Sequence, residues 1–174
     1  MIGKAFFNNI TQGKGDIVQM LLSLLEETSA DYCVIGGLAV NAYAEPVVSL
    51  DLDLVVVSDM MEALRSAAES KRMKVQEFEH SVNLSATGSD LRIQLQTDSR
   101  YQKFVSRGKH RDVLGYEMKV ACLEDVLRGK VWAYSDETRR KSKRQKDLSD
   151  ILRLVETHPE LHDQLPPDIA AQVE

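Results

Sequence analysis

The sequence predicts an α/β (α+β) protein: a mixed β-sheet with helices packed on it and a helical C-terminal part. Three observations lead there. Short β-branched and apolar runs at 31–35 and 50–57 have strand character. They alternate with helical stripes at 16–28 and 60–70. Several more strand-like runs then precede a helical, proline-broken end.

In order along the chain, residues 16–28 place apolar side chains at 17, 20, 21, 24 and 25, one face of a helix. Residues 31–35 (DYCVI) form a strand, Gly36-Gly37 interrupts, and 38–44 (LAVNAYA) resume as a helix that Pro46 ends. The run 50–57 (LDLDLVVV) alternates and then turns wholly apolar, the pattern of a buried central strand. Asp59 is placed to cap a helix over 60–70. Strands are expected at 73–78, 82–86 and 91–96, with 98–114 irregular and 116–121 a further short strand. A helix over 123–134 and a long one over 136–156 follow, and Pro159, Pro166 and Pro167 divide the tail. The organisation expected is a core over 1–122 with a helical extension, 123–174, packed on it as one compact unit.

With 174 residues the chain is long enough to enclose a core. Its 9 glycines and 4 prolines are too few for a disordered or fibrous protein. No apolar run approaches the ~20 residues of a membrane span, and MIGKAFFNNI lacks the form of a signal peptide. Cys33 and Cys122 lie in apolar surroundings and read as reduced thiols, so a cytoplasmic protein is expected. The net charge of −5 is unevenly spread. Residues 139–146 hold six of the 22 basic residues and no acid, leaving 16 elsewhere against 27 acidic groups. That pattern suggests a local anion-binding surface; a solvated helix face is the plain alternative.

The chemistry lies in Gly36-Gly37, thirteen residues, then Asp51-Leu52-Asp53-Leu54. Side chains two apart on a strand share a face, so Asp51 and Asp53 point together. Two carboxylates among apolar neighbours repel and are poorly solvated, a conflict that a divalent cation removes. Mg²⁺ is commonly held by one or two carboxylates plus substrate phosphates. Glycines between strand and helix let phosphate oxygens reach backbone N–H groups. Taken singly, a Gly-Gly pair is an ordinary turn and an Asp-x-Asp pair an ordinary strand end. Together, and in this order, they outline a nucleoside triphosphate (NTP) site.

This constellation resembles the signature of the nucleotidyltransferase superfamily with the polymerase-beta-like fold. Two later segments, Glu124-Asp125-Val126-Leu127 with Lys130, and Lys146-Asp147-Leu148-Ser149-Asp150, are similar to those of AbiEii/AbiGii-type nucleotidyltransferase toxins and their relatives. The resemblance implies Mg²⁺- (or Mn²⁺-) dependent transfer of a nucleoside monophosphate from an NTP to an acceptor hydroxyl, on an RNA or tRNA end or on a protein. Asp51 and Asp53 would hold the metal, Gly36 and Gly37 the triphosphate. Lys130 and Lys146 would meet phosphates, and Asp147 would orient Lys130 or assist at the metal. A toxin role, with a cognate antitoxin as partner, is part of the same implication.

Two positions depart from the pattern. Val47 and Ser49 stand where many relatives carry arginine and threonine, so a basic contact near the aspartate pair is expected to be missing. Gln94 (or Gln96) stands where active members carry a third carboxylate, with Asp90, Asp98 and Asp147 as candidate substitutes. An amide brings no charge and is a poor base. A catalytically degenerate module that binds nucleotide or a partner is therefore the alternative. For Lys130 and Lys146 the plain alternative is solvated surface, and for Asp150 it is an i,i+4 pair with Lys146. The mixed aromatic and basic stretch from Arg100 through Tyr101, Phe104 and Arg107 to Arg111 is read either as a nucleic-acid contact or as a polar loop. His158 and His162 have no third ligand nearby and do not suggest zinc.

Overall fold

A computed structural model describes residues 3–12 and 16–174. Seven strands form one mixed sheet: β1 (Tyr32–Ile35), β2 (Asp51–Val56), β3 (Lys74–Phe78), β4 (Ser81–Ser85), β5 (Arg92–Gln96), β6 (Lys109–Val113) and β7 (Tyr116–Val120). Their spatial order is β3-β4-β5-β2-β1-β7-β6. β2 runs parallel to β5, and β1 parallel to β7; the other neighbours are antiparallel. The helices are α1 (Lys4–Ile10), α2 (Ile17–Glu27), α3 (Gly36–Val40), α4 (Met61–Ser70), α5 (Gln102–Arg107), α6 (Leu123–Ser135), α7 (Lys141–Thr157) and α8 (Pro167–Ala170). The α/β class with a mixed sheet is thus what the sequence predicts.

The central strand is where the apolar run placed it. Leu52, Leu54, Val55 and Val56 are fully buried, while Asp51 and Asp53 alternate with them and keep partial solvent contact. α2 buries Ile17, Val18, Leu21, Leu24 and Leu25, the stripe read from the sequence, and packs beside α4. Asp16 caps α2 by accepting from the Gln19 N–H at 2.9 Å, and also accepts from the Tyr116 hydroxyl at 2.8 Å, which ties α2 to β7. α6 and α7 pack against each other, and both touch α3.

Several elements depart from expectation. α3 starts at the glycines and ends at Val40, because Asn41 turns the chain: its side chain donates to the Val47 carbonyl at 2.8 Å and accepts from the Val47 N–H at 3.0 Å. With five residues, α3 offers no substantial macrodipole, so any phosphate at Gly36-Gly37 would meet backbone N–H groups alone. Asp59 lies in a short 3₁₀ turn, Ser58–Met60, and caps nothing. The stretch 98–114 is ordered as α5 and β6. Asp98 accepts from the Arg100 N–H at 2.9 Å to start the turn, and Phe104 and Val105 are buried. β6 is an edge strand whose first four residues are exposed, so it carries no apolar alternation to read. The last long helix starts at Lys141 rather than 136, since Asp136 accepts from the Thr138 N–H at 2.9 Å and holds 136–140 in a turn. Among the described residues no helix is long and apolar enough to cross a membrane.

Candidate functional site

β2 leaves the sheet's centre with Asp51 and Asp53 aimed into a cavity of about 160 Å³, bounded also by Gly36, Gln94, Lys130 and Arg139. β1 pairs with β2 so that Ile35 lies opposite Asp53, which brings the glycine turn directly over the second carboxylate. Gly36 has φ +73°, and a Cβ on it would collide with Asp53 Oδ2 and stand 3.2 Å from Asp53 Cβ. Only glycine allows both the backbone conformation and the close approach. Gly37 is less constrained, since a Cβ there would meet nothing nearer than Asp150 Oδ2 at 3.6 Å. Gly36→Ala is therefore expected to cost roughly 1–3 kcal/mol and several degrees of melting temperature. Gly37→Ala should stay within about 1 kcal/mol of wild type in the same thermal scan.

The two aspartates have opposite electrostatic settings. Asp51 Oδ1 accepts from Arg92 Nε at 2.6 Å and Oδ2 from Lys143 Nζ at 3.0 Å. Burial pushes the Asp51 carboxyl upward, but hydrogen bonds from Arg92 and Lys143 outweigh it and hold the group below its ordinary value. Asp53 has no hydrogen bond or ion pair through its side chain among the described residues. Enclosure at the cavity floor pushes its carboxyl up to about 6; Lys130 opposes the rise and Asp51 adds to it. The expected conflict between two bare carboxylates is thus corrected: the protein's own cations neutralise Asp51, and only Asp53 is left uncompensated. The expected lack of a basic contact, argued from Val47, is corrected too, because Arg92 and Lys143 supply one from β5 and α7.

A buried ionic cluster forms the wall opposite β2. Lys130, 7% exposed at its side chain, stands 3.0 Å from Asp147 Oδ1 and 2.7 Å from Asp150 Oδ2. The Asp147 contact is a hydrogen bond. The Asp150 contact is an ion pair of the same ammonium with Oδ2. Burial lowers the Lys130 ammonium pKa, but Asp150 and Asp147 more than reverse this and keep the group charged. Arg139 Nε completes Asp147 at 2.7 Å, and Arg153 reaches Asp150 Oδ1 at 2.8 Å and Asn41 Oδ1 at 2.9 Å. The solvated-surface alternative for Lys130 is corrected by this burial, and so is the Asp150–Lys146 pair. Lys146 is half-buried and its ammonium donates to Ser49 Oγ at 3.2 Å.

The residues expected from sequence therefore fall into one region: Gly36, Gly37, Asp51, Asp53, Lys130, Lys146 and Asp147 surround or adjoin the cavity. Gln94 lies opposite Asp53 in the β2–β5 register, so an amide does occupy the neighbouring-strand position. Arg92, Lys143, Arg139 and Tyr101, which also line or close the site, were not legible as site residues one by one. The basic run 139–146 is largely spent within the molecule: Arg139 on Asp147, Lys143 on Asp51, Arg144 on the Tyr134 carbonyl and Lys146 on Ser49. Within the 100–111 stretch Arg107 is paired with buried Asp125 and Arg100 lies over the Trp132 ring, while 109–111 are exposed on β6. Both cysteines are free; burial pushes the Cys33 thiol up to about 12, the state of an inert core residue.

Among the described residues no three acidic, histidine or cysteine side chains converge as metal ligands. The donor set is two carboxylates two residues apart, one of them unpaired, with the Gln94 amide beside it. That is a small set, but it suits Mg²⁺, which keeps other positions for water and phosphate oxygens.

No protein-family model matches the sequence, and no curated protein is significantly similar to it. Its fold is shared with solved structures. The antibiotic-resistance factor ANT(2″)-Ia, solved with adenylyl-2″-tobramycin, aligns at TM-score 0.62 and 14% identity over 90% of this chain and 94% of that one. The lincosamide antibiotic adenylyltransferase LnuA, lincomycin-bound, aligns at TM-score 0.55 and 10% identity over 79% of this chain and 95% of that one. An antigenic nucleotidyltransferase-like protein from Paracoccidioides brasiliensis aligns at 0.54 and 18% identity, over 80% and 74%. The chain has the nucleotidyltransferase fold.

Proposed function

We propose that this protein is a divalent-metal-dependent nucleotidyltransferase that moves a nucleoside monophosphate from an NTP to an acceptor hydroxyl. The observation that carries the reading is the unpaired Asp53 carboxylate on the cavity floor, beneath a turn that admits only glycine at position 36. Such a carboxylate is costly unless a cation joins it. Asp51 and Asp53 would hold Mg²⁺ or Mn²⁺, which when bound supplies a Lewis acid that offsets phosphate charge.

The backbone N–H groups of Gly36 and Gly37 and the ammonium of Lys146 would bind phosphate oxygens. Lys130, locked by Asp147 and Asp150, would present a fixed positive charge toward the leaving pyrophosphate. Asp147 acts here as a positioning residue. In the transfer the acceptor oxygen bonds to the α-phosphorus, and the bond from that phosphorus to the bridging oxygen breaks. Pyrophosphate leaves with the bond's electrons, and the hydroxyl proton passes to solvent at the cavity mouth.

The acceptor is an RNA or tRNA end, a protein hydroxyl, or a small hydroxylated molecule of the kind carried in the ANT(2″)-Ia and LnuA structures. The pairing of Arg139 and Lys143 with acids inside the molecule leaves a shorter free basic surface, which speaks for an acceptor without a long phosphate backbone. The motif likeness at 124–130 and 146–150 extends the proposal to a toxin component, with a cognate antitoxin as its partner and the cytoplasm, where NTPs are found, as its setting. The test is incubation with α-labelled NTPs and Mg²⁺ in three arms: total RNA, total protein, and tobramycin with lincomycin. Label should enter one arm and vanish with Asp51→Ala/Asp53→Ala. A second reading, a degenerate nucleotide-binding module, is favoured by Gln94 opposite Asp53. Nucleotide binding without label in any arm would establish it.

A further inference from the structure

Asp51 is closed on both oxygens, and from two directions. Arg92, the first residue of β5, lies opposite Asp51 in the strand register and donates at 2.6 Å. Lys143, in the first turn of α7, donates to the other oxygen at 3.0 Å. While both cations hold Asp51, its charge is offset and it is a weak partner for a divalent ion shared with Asp53. Two positive charges then stand where such an ion would come, and repulsion at that range is large. Neither side chain is locked: Arg92 is 64% exposed and Lys143 33%, and both are long enough to swing. Of the other cations at the cavity, Lys130 is committed to Asp147 and Asp150 and Arg139 to Asp147, while Lys146 rests only on the Ser49 hydroxyl. A triphosphate entering the cavity would therefore find Arg92 and Lys143 as its movable partners.

We infer that Arg92 and Lys143 are positioning residues that keep Asp51 closed until nucleotide arrives, so that metal affinity depends on nucleotide. The inference rests on the nucleotidyltransferase reading and adds an order to it. Phosphate oxygens take over the two cations, and the freed Asp51 joins Asp53 in holding the ion. By linkage, metal and nucleotide must each raise the other's affinity by the same factor.

The test measures Mn²⁺ binding to the full chain by the electron-spin signal of free Mn²⁺, with and without a non-hydrolysable ATP analogue. Wild type should bind Mn²⁺ at least tenfold tighter with the analogue than alone. Arg92→Ala and Lys143→Ala should bind Mn²⁺ alone about tenfold tighter than wild type, with a smaller gain from the analogue. Arg92→Lys, which keeps a cation at Asp51, should retain the wild-type pattern; thermal unfolding checks that each variant is folded. Variants that bind Mn²⁺ alone no tighter than wild type, while wild type keeps its nucleotide-dependent gain, overturn the inference and leave the site assignment standing. Failure of every protein to bind Mn²⁺ even with the analogue overturns the site assignment and the inference with it.

Discussion

Lys130→Met is expected to destabilise the protein by about 3–5 kcal/mol and to abolish nucleotide transfer. The ammonium is almost wholly enclosed and shared by two carboxylates that are themselves about 1% and 5% exposed. Removing it leaves Asp147 with Arg139 alone and Asp150 with Arg153 alone, at a depth where water cannot replace the lost partner. For a chain of this length the change corresponds to a fall of roughly 10 °C or more in melting temperature. Adding Asp150→Asn should recover part of the stability, because it removes one of the stranded charges, but none of the transfer. Chemical denaturation gives the first quantity and label incorporation the second. A Lys130→Met protein as stable as wild type would contradict the ionic cluster described here.

Asp53→Asn should act in the opposite sense on stability while also ending transfer. The Asp53 carboxyl is raised from an ordinary 3.8 to about 6 by enclosure, against the pull of Lys130. Between those values the folded protein holds a proton that the unfolded chain releases, so stability falls as pH rises through this window. Well above pH 6 the penalty for keeping Asp53 ionised is complete, on the order of 3 kcal/mol. The amide carries no such penalty. The variant should therefore be more stable than wild type by about that amount at pH 7 and no more stable at pH 4, in parallel urea titrations. An advantage that did not depend on pH would assign the effect to packing rather than to charge. In wild type, Mg²⁺ with nucleotide should remove the same penalty, so that ligand stabilisation grows from pH 5 to pH 7.

What the sequence revealed followed the range of the interactions involved. β2, the glycine turn and the α2 stripe are written in runs of neighbouring residues, and alternation or periodicity sufficed to find them. Lys130 and Asp147 stood out only through the resemblance to nucleotidyltransferase segments, and their contact needs only that α6 and α7 pack together. Arg92 and Lys143 escaped because their roles depend on strand register and helix docking. Nothing near Arg92 in sequence says that it faces Asp51, 41 residues away. Edge strand β6 and short helix α5 were missed for a related reason. An exposed edge lacks apolar alternation, and six residues are too few for a helical stripe to show. The internal use of the basic run is also a property of packing: six clustered cations look like an open anion-binding surface until the partners of Arg139, Lys143, Arg144 and Lys146 are known.

The most direct measurement is calorimetric titration of a non-hydrolysable ATP analogue, with and without Mg²⁺, into wild type and Asp51→Ala/Asp53→Ala. If the β2 carboxylates and the Gly36-Gly37 turn form a metal–nucleotide site, wild type binds the analogue markedly tighter with Mg²⁺ than without. The double variant, although folded, loses that metal dependence. Equal metal dependence in the two proteins, or no binding to wild type under either condition, would contradict the account.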